Sequence, residues 1–416
     1  MCAKKGLCSK LFFFILSVGL LMYLLLALYY VYCITIKPTY TRFEYNVEHI
    51  PVRRDLESRM RYILMWTTGE TGEKRKCFGD GTFPFIDNRC SNTNCYLTTN
   101  KTLLGDYTKF DAIIFDTEYM KDWRNKNLPT RRSTKQKYIF HSAITSDHAP
   151  VCNVITDGYF NWTCTYKMDS DIFNPMVEVL DLEGNYVAPK SSVDWDTASE
   201  TVLDTVIRVA HNKTKAMAWI VDQCETRNDG LAFAIRLQKA LKEVSLDFDI
   251  YGCGFLDCPE DNCMKVLRNY YFYYAAEESD SSDYITKEVL RAFHTLTVPV
   301  VRGGADYKKF LPARSYIDSK STSMDSLVAW IDHAIRDPLT YNHFHLWRKY
   351  YRVRAVNPFQ GLCRICMGLN DEAFRRYSVK NNFRKWWNNG PLFERCLPKS
   401  AESLSHVLSY VNKTVW

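Results

Sequence analysis

The residues best suited to chemistry lie between positions 270 and 318. An aromatic run, YYFYYAA, ends on two adjacent carboxylates, Glu277 and Glu278, and is followed closely by Ser279, Asp283, Tyr284, Thr286, Lys287 and Glu288. Carboxylates accept from hydroxyl donors, hydroxyls do both, and an ammonium or guanidinium group offsets an anion. Arg302, Gly303 and Gly304 close the stretch after a second apolar run. It can therefore hold a ligand that is both polar and anionic.

The elements that must position these groups are readable from pattern. The apolar run ending at Glu277 predicts a buried strand, and an acidic turn leads into a helix from about Tyr284, with Ile285, Val289, Phe293 and Leu296 on one face. Val298 to Val301 predicts the next strand, and the glycines its turn. In such strand–helix–strand units of open α/β sheets, nucleotides bind at the carboxyl ends of the strands. Further short apolar runs at 62–66, 111–115 and 137–140 predict parallel strands of a first α/β domain. A second begins with a strand at 216–221, a helix at 229–244 carrying Leu231, Ile235, Leu237 and Leu241, and a strand at 248–251. A helix at 325–335 and an apolar helical stripe of Phe344, Trp347 and Tyr351 follow.

The stretch resembles the donor-nucleotide signature of the α-1,3-fucosyltransferases, glycosyltransferase family 10, which move fucose from GDP-fucose to N-acetylglucosamine. The matching residues are Phe272, Tyr273, Glu277, Ser279, Asp283, Tyr284, Thr286, Pro299, Val300, Gly303, Tyr307, Phe310, Pro312, Ser315 and Ile317. A second segment, FNWTCTYKMDSDIFNP from Phe160 to Pro175, is similar to another signature of the family. Together they imply an α/β fold of the GT-B type, two Rossmann-like domains facing a cleft. They also imply GDP-fucose as co-substrate, a glycoprotein N-glycan acceptor and no tightly bound cofactor. Stimulation by a divalent cation such as Mn2+ is compatible with that reading.

Inverting transfer needs a base for the acceptor hydroxyl and positive charge or amide donors around the departing diphosphate. The family base is a glutamate just after a first-domain strand, a place that Ile144 takes here. Asp147 and His148, three and four residues on, are the expected substitutes. The family's phosphate-binding arginine aligns with Gly230, with Arg227 as its nearest replacement. Where the family reads Thr-Glu-Lys, this chain reads Thr286-Lys287-Glu288. Tyr273, Glu277, Tyr284, Thr286, Lys287 and Glu288 are then the expected donor contacts, with the helix amino terminus favouring phosphate. Arg302 is either a replacement cation or half of a structural ion pair. The departures leave open an alternative, a catalytically inactive fucosyltransferase-like protein that binds glycans or a partner.

The rest of the chain bounds these readings. Over 416 residues with 46% hydrophobic and 24% charged content, the formal charge is only +7, and its lysines and arginines are scattered, which argues against a nucleic-acid partner. Residues 1–10 read as a cytosolic tail, 11–36 as a transmembrane signal anchor and 37–58 as a stem. An acceptor domain over 59–200 and a GDP-fucose-binding domain over 201–416, with a disulfide-linked C-terminal segment, complete the expected organisation. This topology places the catalytic part in the Golgi lumen, as a single-pass type II membrane protein. Twelve of the fifteen cysteines follow the anchor, an even number that predicts disulfides. Cys363 and Cys366 leave a redox dithiol or zinc pair as the minor reading. Asn100, Asn161, Asn212 and Asn412 each begin an Asn-x-Thr acceptor for N-glycosylation.

Overall fold

The computed structural model describes residues 19–24, 60–67, 79–120, 123–197, 207, 212–221, 228–259, 263–376 and 378–388. The chain divides into two compact units, residues 1–50 with 130–132 and residues 51–129 with 133–416. In the first, 19–24 is a helical piece with exposed side chains. The rest of the expected anchor and the stem through residue 59 lie outside the described residues. Among the described residues no helix is long and apolar enough to cross a membrane. All that follows concerns the second unit.

Its first half forms a six-stranded sheet from β1 (Arg61–Trp66), β2 (Cys95–Thr98), β3 (Ala112–Asp116), β4 (Lys137–Ser142), β5 (Trp162–Thr165) and β6 (Ile172–Phe173). Their order is β2-β1-β3-β4-β5-β6, and every pairing is parallel. β7 (Val177–Asp181) and β8 (Tyr186–Ala188) then leave this sheet. β9 (Lys215–Ile220), β10 (Phe248–Tyr251), β11 (Tyr270–Ala276), β12 (Val298–Arg302) and β13 (Ile317–Asp318) build a second parallel sheet, in the order β10-β9-β11-β12-β13. β14 (Tyr351–Ala355) pairs antiparallel with β7, which also holds β8.

The strands were legible because both faces of each sheet are covered. β3, β4 and β12 are buried at every position, so alternation vanishes and a continuous apolar run remains. On one face of β4, Phe140 packs with Trp123, Phe160, Phe383 and Trp387. On the other, Ile139 joins a core with Cys164, Leu362 and Ile365. The helix Gly230–Glu243 buries Phe233, Ala234, Leu237 and Leu241 on one stripe. Ile235, expected on that stripe, is instead 47% exposed.

Three expectations change. The helix expected from Tyr284 begins at Glu288 and ends at His294, because Tyr284 to Thr286 are drawn toward Glu277 as described below. At seven residues, with an acidic first turn, it offers no phosphate-binding terminus. Phe344, Trp347 and Tyr351 lie on no common helix: they cap the helix Pro338–His343, sit in a 3-10 turn, and open β14. Asn161 is 3% exposed; its Oδ1 accepts from the Tyr138 amide at 2.9 Å and its Nδ2 donates to the Ser378 carbonyl at 2.8 Å. A glycan on that nitrogen is incompatible with this packing, whereas Asn100 and Asn212 are exposed and Asn412 lies outside the described residues.

The chain's end returns to its beginning. The helix Gln360–Asn370 carries Cys363 and Cys366 to Cys90 and Cys95, closing disulfides across 273 and 271 residues. The two cysteines thus serve separate bonds and form no dithiol. By packing, this helix and Phe383–Asn388 belong with the first sheet, although a boundary at residue 201 groups them with the second. Cys258 bonds Cys263 within a loop, and Cys164 is the free, buried cysteine among the described residues.

Candidate active site

The site is built on the carboxyl end of β11. Glu277 is 3% exposed, its amide donates to the Arg302 carbonyl at the end of β12, and its Oε1 accepts from the Thr286 amide at 2.9 Å. Burial pushes its carboxyl up to about 8; the Thr286 bonds oppose the rise, and the neighbouring charges of Glu288 and Glu278 add to it. At neutral pH Glu277 is therefore mostly protonated. Its Oε2 and the Tyr307 hydroxyl are both buried without a partner, and the Glu277 side-chain stem and the Tyr307 hydroxyl both border Gly303. A Cβ at Gly303 would stand 2.6 Å from the Tyr307 hydroxyl oxygen, and one at Gly304 would stand 1.9 Å from the Asp280 carbonyl oxygen. The glycines are there because the two strand ends and the 278–281 turn close on them.

The remaining expected donor contacts divide by exposure. Tyr273 is fully buried and donates to Glu288 Oε2 at 2.8 Å, with Arg291 3.4 Å from the same carboxylate oxygen. Tyr273 thus acts on the site through Glu288. Tyr284 is 2% exposed and donates to Glu278 Oε1 at 2.8 Å. Thr286 Oγ1 accepts from the Glu288 amide. Lys287 is exposed and has no ion-pair partner among the described residues. Arg302 is committed to Asp229, with Nη2 2.7 Å from each carboxylate oxygen, and its guanidinium lies 4.0 Å over the Phe233 ring. The structural ion pair is therefore the state of Arg302, while Arg227 lies outside the described residues.

The first sheet reaches this strand end through two loops. Asp147 Oδ2 accepts from Ser279 Oγ, and His148 Nδ1 sits 3.1 Å from Thr145 Oγ1 and 3.8 Å from Glu278 Oε1. The Met168 amide donates to Asp283 at 3.0 Å, and the Tyr166 ring meets Tyr284 edge-on at 4.9 Å. The carboxyl ends of β4 and β5 thus face the polar end of β11. Asp147 and His148 fall at the site, but as groups engaged across it.

Sequence reasoning missed a second cluster at the same edge. His141 Nδ1 lies 2.5 Å from Asp116 Oδ2, while Asp116 Oδ1 accepts from the Glu118 amide at 2.7 Å. Beside them Thr117 and Ser142 share a hydroxyl hydrogen bond of 2.8 Å. Burial alone would lower the imidazolium's pKa, but Asp116, by charge and hydrogen bond, and Glu118 outweigh it, so the net movement is upward. The available signal was positional: each residue ends an apolar run that reads as a parallel strand. Among the described residues no group of three or more His, Cys, Asp or Glu side chains is placed to hold a metal ion, so a Mn2+ site gains no support.

Two parallel sheets, in contact where the loops after β4 and β5 meet the end of β11, define an α/β protein. The chain matches the "Fucosyltransferase, N-terminal" family over residues 58–177 and "Glycosyltransferase family 10 (fucosyltransferase) C-term" over 210–386. It belongs to glycosyltransferase family 10, the fucosyltransferases. It is 31% identical over 342 residues to "Alpha-(1,3)-fucosyltransferase C" of Drosophila melanogaster, covering 79% of this chain and 78% of that one. To "Glycoprotein 3-alpha-L-fucosyltransferase A" of the same organism it is 30% identical, over 74% of this chain and 57% of that protein. A crystal structure of an alpha1,3-fucosyltransferase with GDP overlays at a TM-score of 0.46 and 13% identity, covering 78% of this chain and 94% of that one, too distant a likeness to carry argument.

Proposed function

We propose that this protein transfers fucose from GDP-fucose, in α-1,3 linkage, to N-acetylglucosamine of glycoprotein N-glycans. The reading includes a GT-B arrangement of the two parallel sheets and a Golgi location through the 11–36 anchor. The observation that carries it is the buried, neutral Glu277 at the end of β11, bonded to Thr286 and bordered by unpartnered hydroxyl and carboxyl atoms. A neutral carboxyl can donate and accept beside a diphosphate without adding charge to it. Glu288, braced by Tyr273, is proposed to hold ribose hydroxyls, and exposed Lys287 to approach the diphosphate. Tyr284 and Thr286 shape the same wall. Arg302 contributes through Asp229, which begins the helix Gly230–Glu243.

Ile144 offers no proton acceptor, so the base is proposed from the end of β4 and the loop that follows, where Asp147 and His148 were expected to serve. The named relatives support the linkage and the glycoprotein acceptor. The test is the full-length protein, supplied with GDP-fucose and an array of N-glycans differing in exposed N-acetylglucosamine. Fucose is expected on that sugar at its 3-hydroxyl. GDP-fucose binding without transfer to any glycan would instead identify a non-catalytic member of the family.

A further inference from the structure

Three side chains compete for the role of base at the carboxyl end of β4, and the structure separates them. Asp147 accepts from Ser279 and His148 is held between Thr145 and Glu278, so both fasten the 144–148 loop to the end of β11. His141 differs in having a carboxylate at hydrogen-bond distance of its Nδ1, where His148 Nδ1 has only the Thr145 hydroxyl that close. Its Nδ1 is paired to Asp116, whose other oxygen is fixed by the Glu118 amide. A carboxylate at Nδ1 holds the proton there and leaves the Nε2 lone pair available in the neutral ring. Nε2 has no partner among the described residues and is not among the side-chain atoms sealed from solvent without one. Asp116 ends β3 and His141 is the penultimate residue of β4, neighbours in register, on the sheet edge whose loops touch β11.

Resting on the transfer reading above, we infer that His141 is the general base for the acceptor hydroxyl, oriented by Asp116, and that Asp147 and His148 position the loop. The acceptor's hydroxyl proton passes to His141 Nε2 as its oxygen bonds C1 of fucose on the face opposite GDP. The C1–O bond to the β-phosphate breaks, and its electron pair leaves with GDP. The imidazolium then gives the proton to solvent. The step is redox-neutral and needs no co-reactant.

The charged and titratable groups around His141 are few. Asp116 and Glu118 come from β3 and the turn after it. Cys164 comes from β5, its thiol pushed up to about 12 by burial and so neutral, with Arg364 beside it from the helix Gln360–Asn370. Since the base must be deprotonated, the rate falls as pH drops through the raised value. Asp116→Asn removes the charge that raises it.

The experiment follows transfer against pH for the full-length wild type, His141→Gln, Asp116→Asn, Asp147→Asn and His148→Gln, with GDP-fucose binding measured for each. His141→Gln is expected to lose at least about 10²-fold in kcat, the scale of general-base assistance, with GDP-fucose affinity retained. Asp116→Asn is expected to move the acid limb to lower pH and reduce kcat with KM for GDP-fucose unchanged. A structural partner would leave that limb in place. His141→Gln activity within about threefold of wild type overturns the assignment, since a lost base costs about 10²-fold or more. So does an unmoved limb in Asp116→Asn, or a limb that moves only in Asp147→Asn or His148→Gln. If His141→Gln fails to bind GDP-fucose, the Asp116→Asn limb decides. No transfer even by the wild type defeats the functional reading itself, and this assignment with it.

Discussion

Replacing Glu277 by glutamine tests the charge state on which the proposed donor site rests. The carboxyl stands at about 8 in the folded protein against an ordinary 4.5, chiefly because it is buried. Between those values the folded state holds a proton that the unfolded state has released, so stability falls as pH rises and levels off above about 8. At pH 7 the unfolded carboxyl has gained two and a half pH units of ionisation, each worth about 1.4 kcal/mol, a penalty of about 3 kcal/mol. It approaches about 5 kcal/mol once the folded carboxyl also ionises. Glutamine keeps an acceptor for the Thr286 amide and has no proton to lose. Urea unfolding of Glu277→Gln and wild type, without nucleotide, at pH 5, 6, 7 and 8 should therefore give curves that are close at pH 5. They should diverge in the variant's favour by about 3 kcal/mol at pH 7. Contributions of all other groups cancel in the difference. A stability difference independent of pH would show that Glu277 is ionised in the folded protein and refute the neutral-carboxyl argument.

Lys287→Ala should leave unfolding stability within about 0.5 kcal/mol, because the side chain is exposed, while weakening GDP about 10-fold or more by calorimetry, as expected for a lost charged contact. Asn161→Gln should not change the mass shift on endoglycosidase treatment but should cost about 1–3 kcal/mol in urea, from the two buried hydrogen bonds it disturbs. Asn100→Gln, at an exposed acceptor, should remove one glycan from the same gel at little cost in stability. Cys95→Ser with Cys366→Ser should lower stability by only about 2–3 kcal/mol, since with Cys90–Cys363 intact this bond closes just the short loop of residues 90–95 and 363–366 in the unfolded chain. Chemical denaturation under non-reducing conditions measures it.

Much of the protein was legible without coordinates. Runs such as AIIF and VPVV are apolar at every position because parallel strands are covered on both faces, and that local fact identified most strands of the two sheets, though not the short β2, β5, β6 and β13. The signature from Phe272 to Ile317 carried the family, since its spacing is set by one strand, one turn and one glycine corner contiguous in sequence. Where the helix after Glu277 would begin was not legible: a buried carboxyl that takes the Thr286 amide holds Tyr284 to Thr286 in the loop, and no propensity encodes that bond. Arg302 was open between two roles until Asp229, 73 residues earlier, closed the question. The Asn161 acceptor sequence read as glycosylation because an Asn-x-Thr triplet is local, while the burial that opposes it comes from Tyr138 and Ser378. The Asp116–His141 pair had no motif at all: its members are 25 residues apart and meet only because β3 and β4 lie side by side in register. Sequence determined what each strand would bury and which chemistry its end would carry. Only tertiary structure decided which ends face each other, because pairing across long loops is set by the packing of whole sheets and not by any local run.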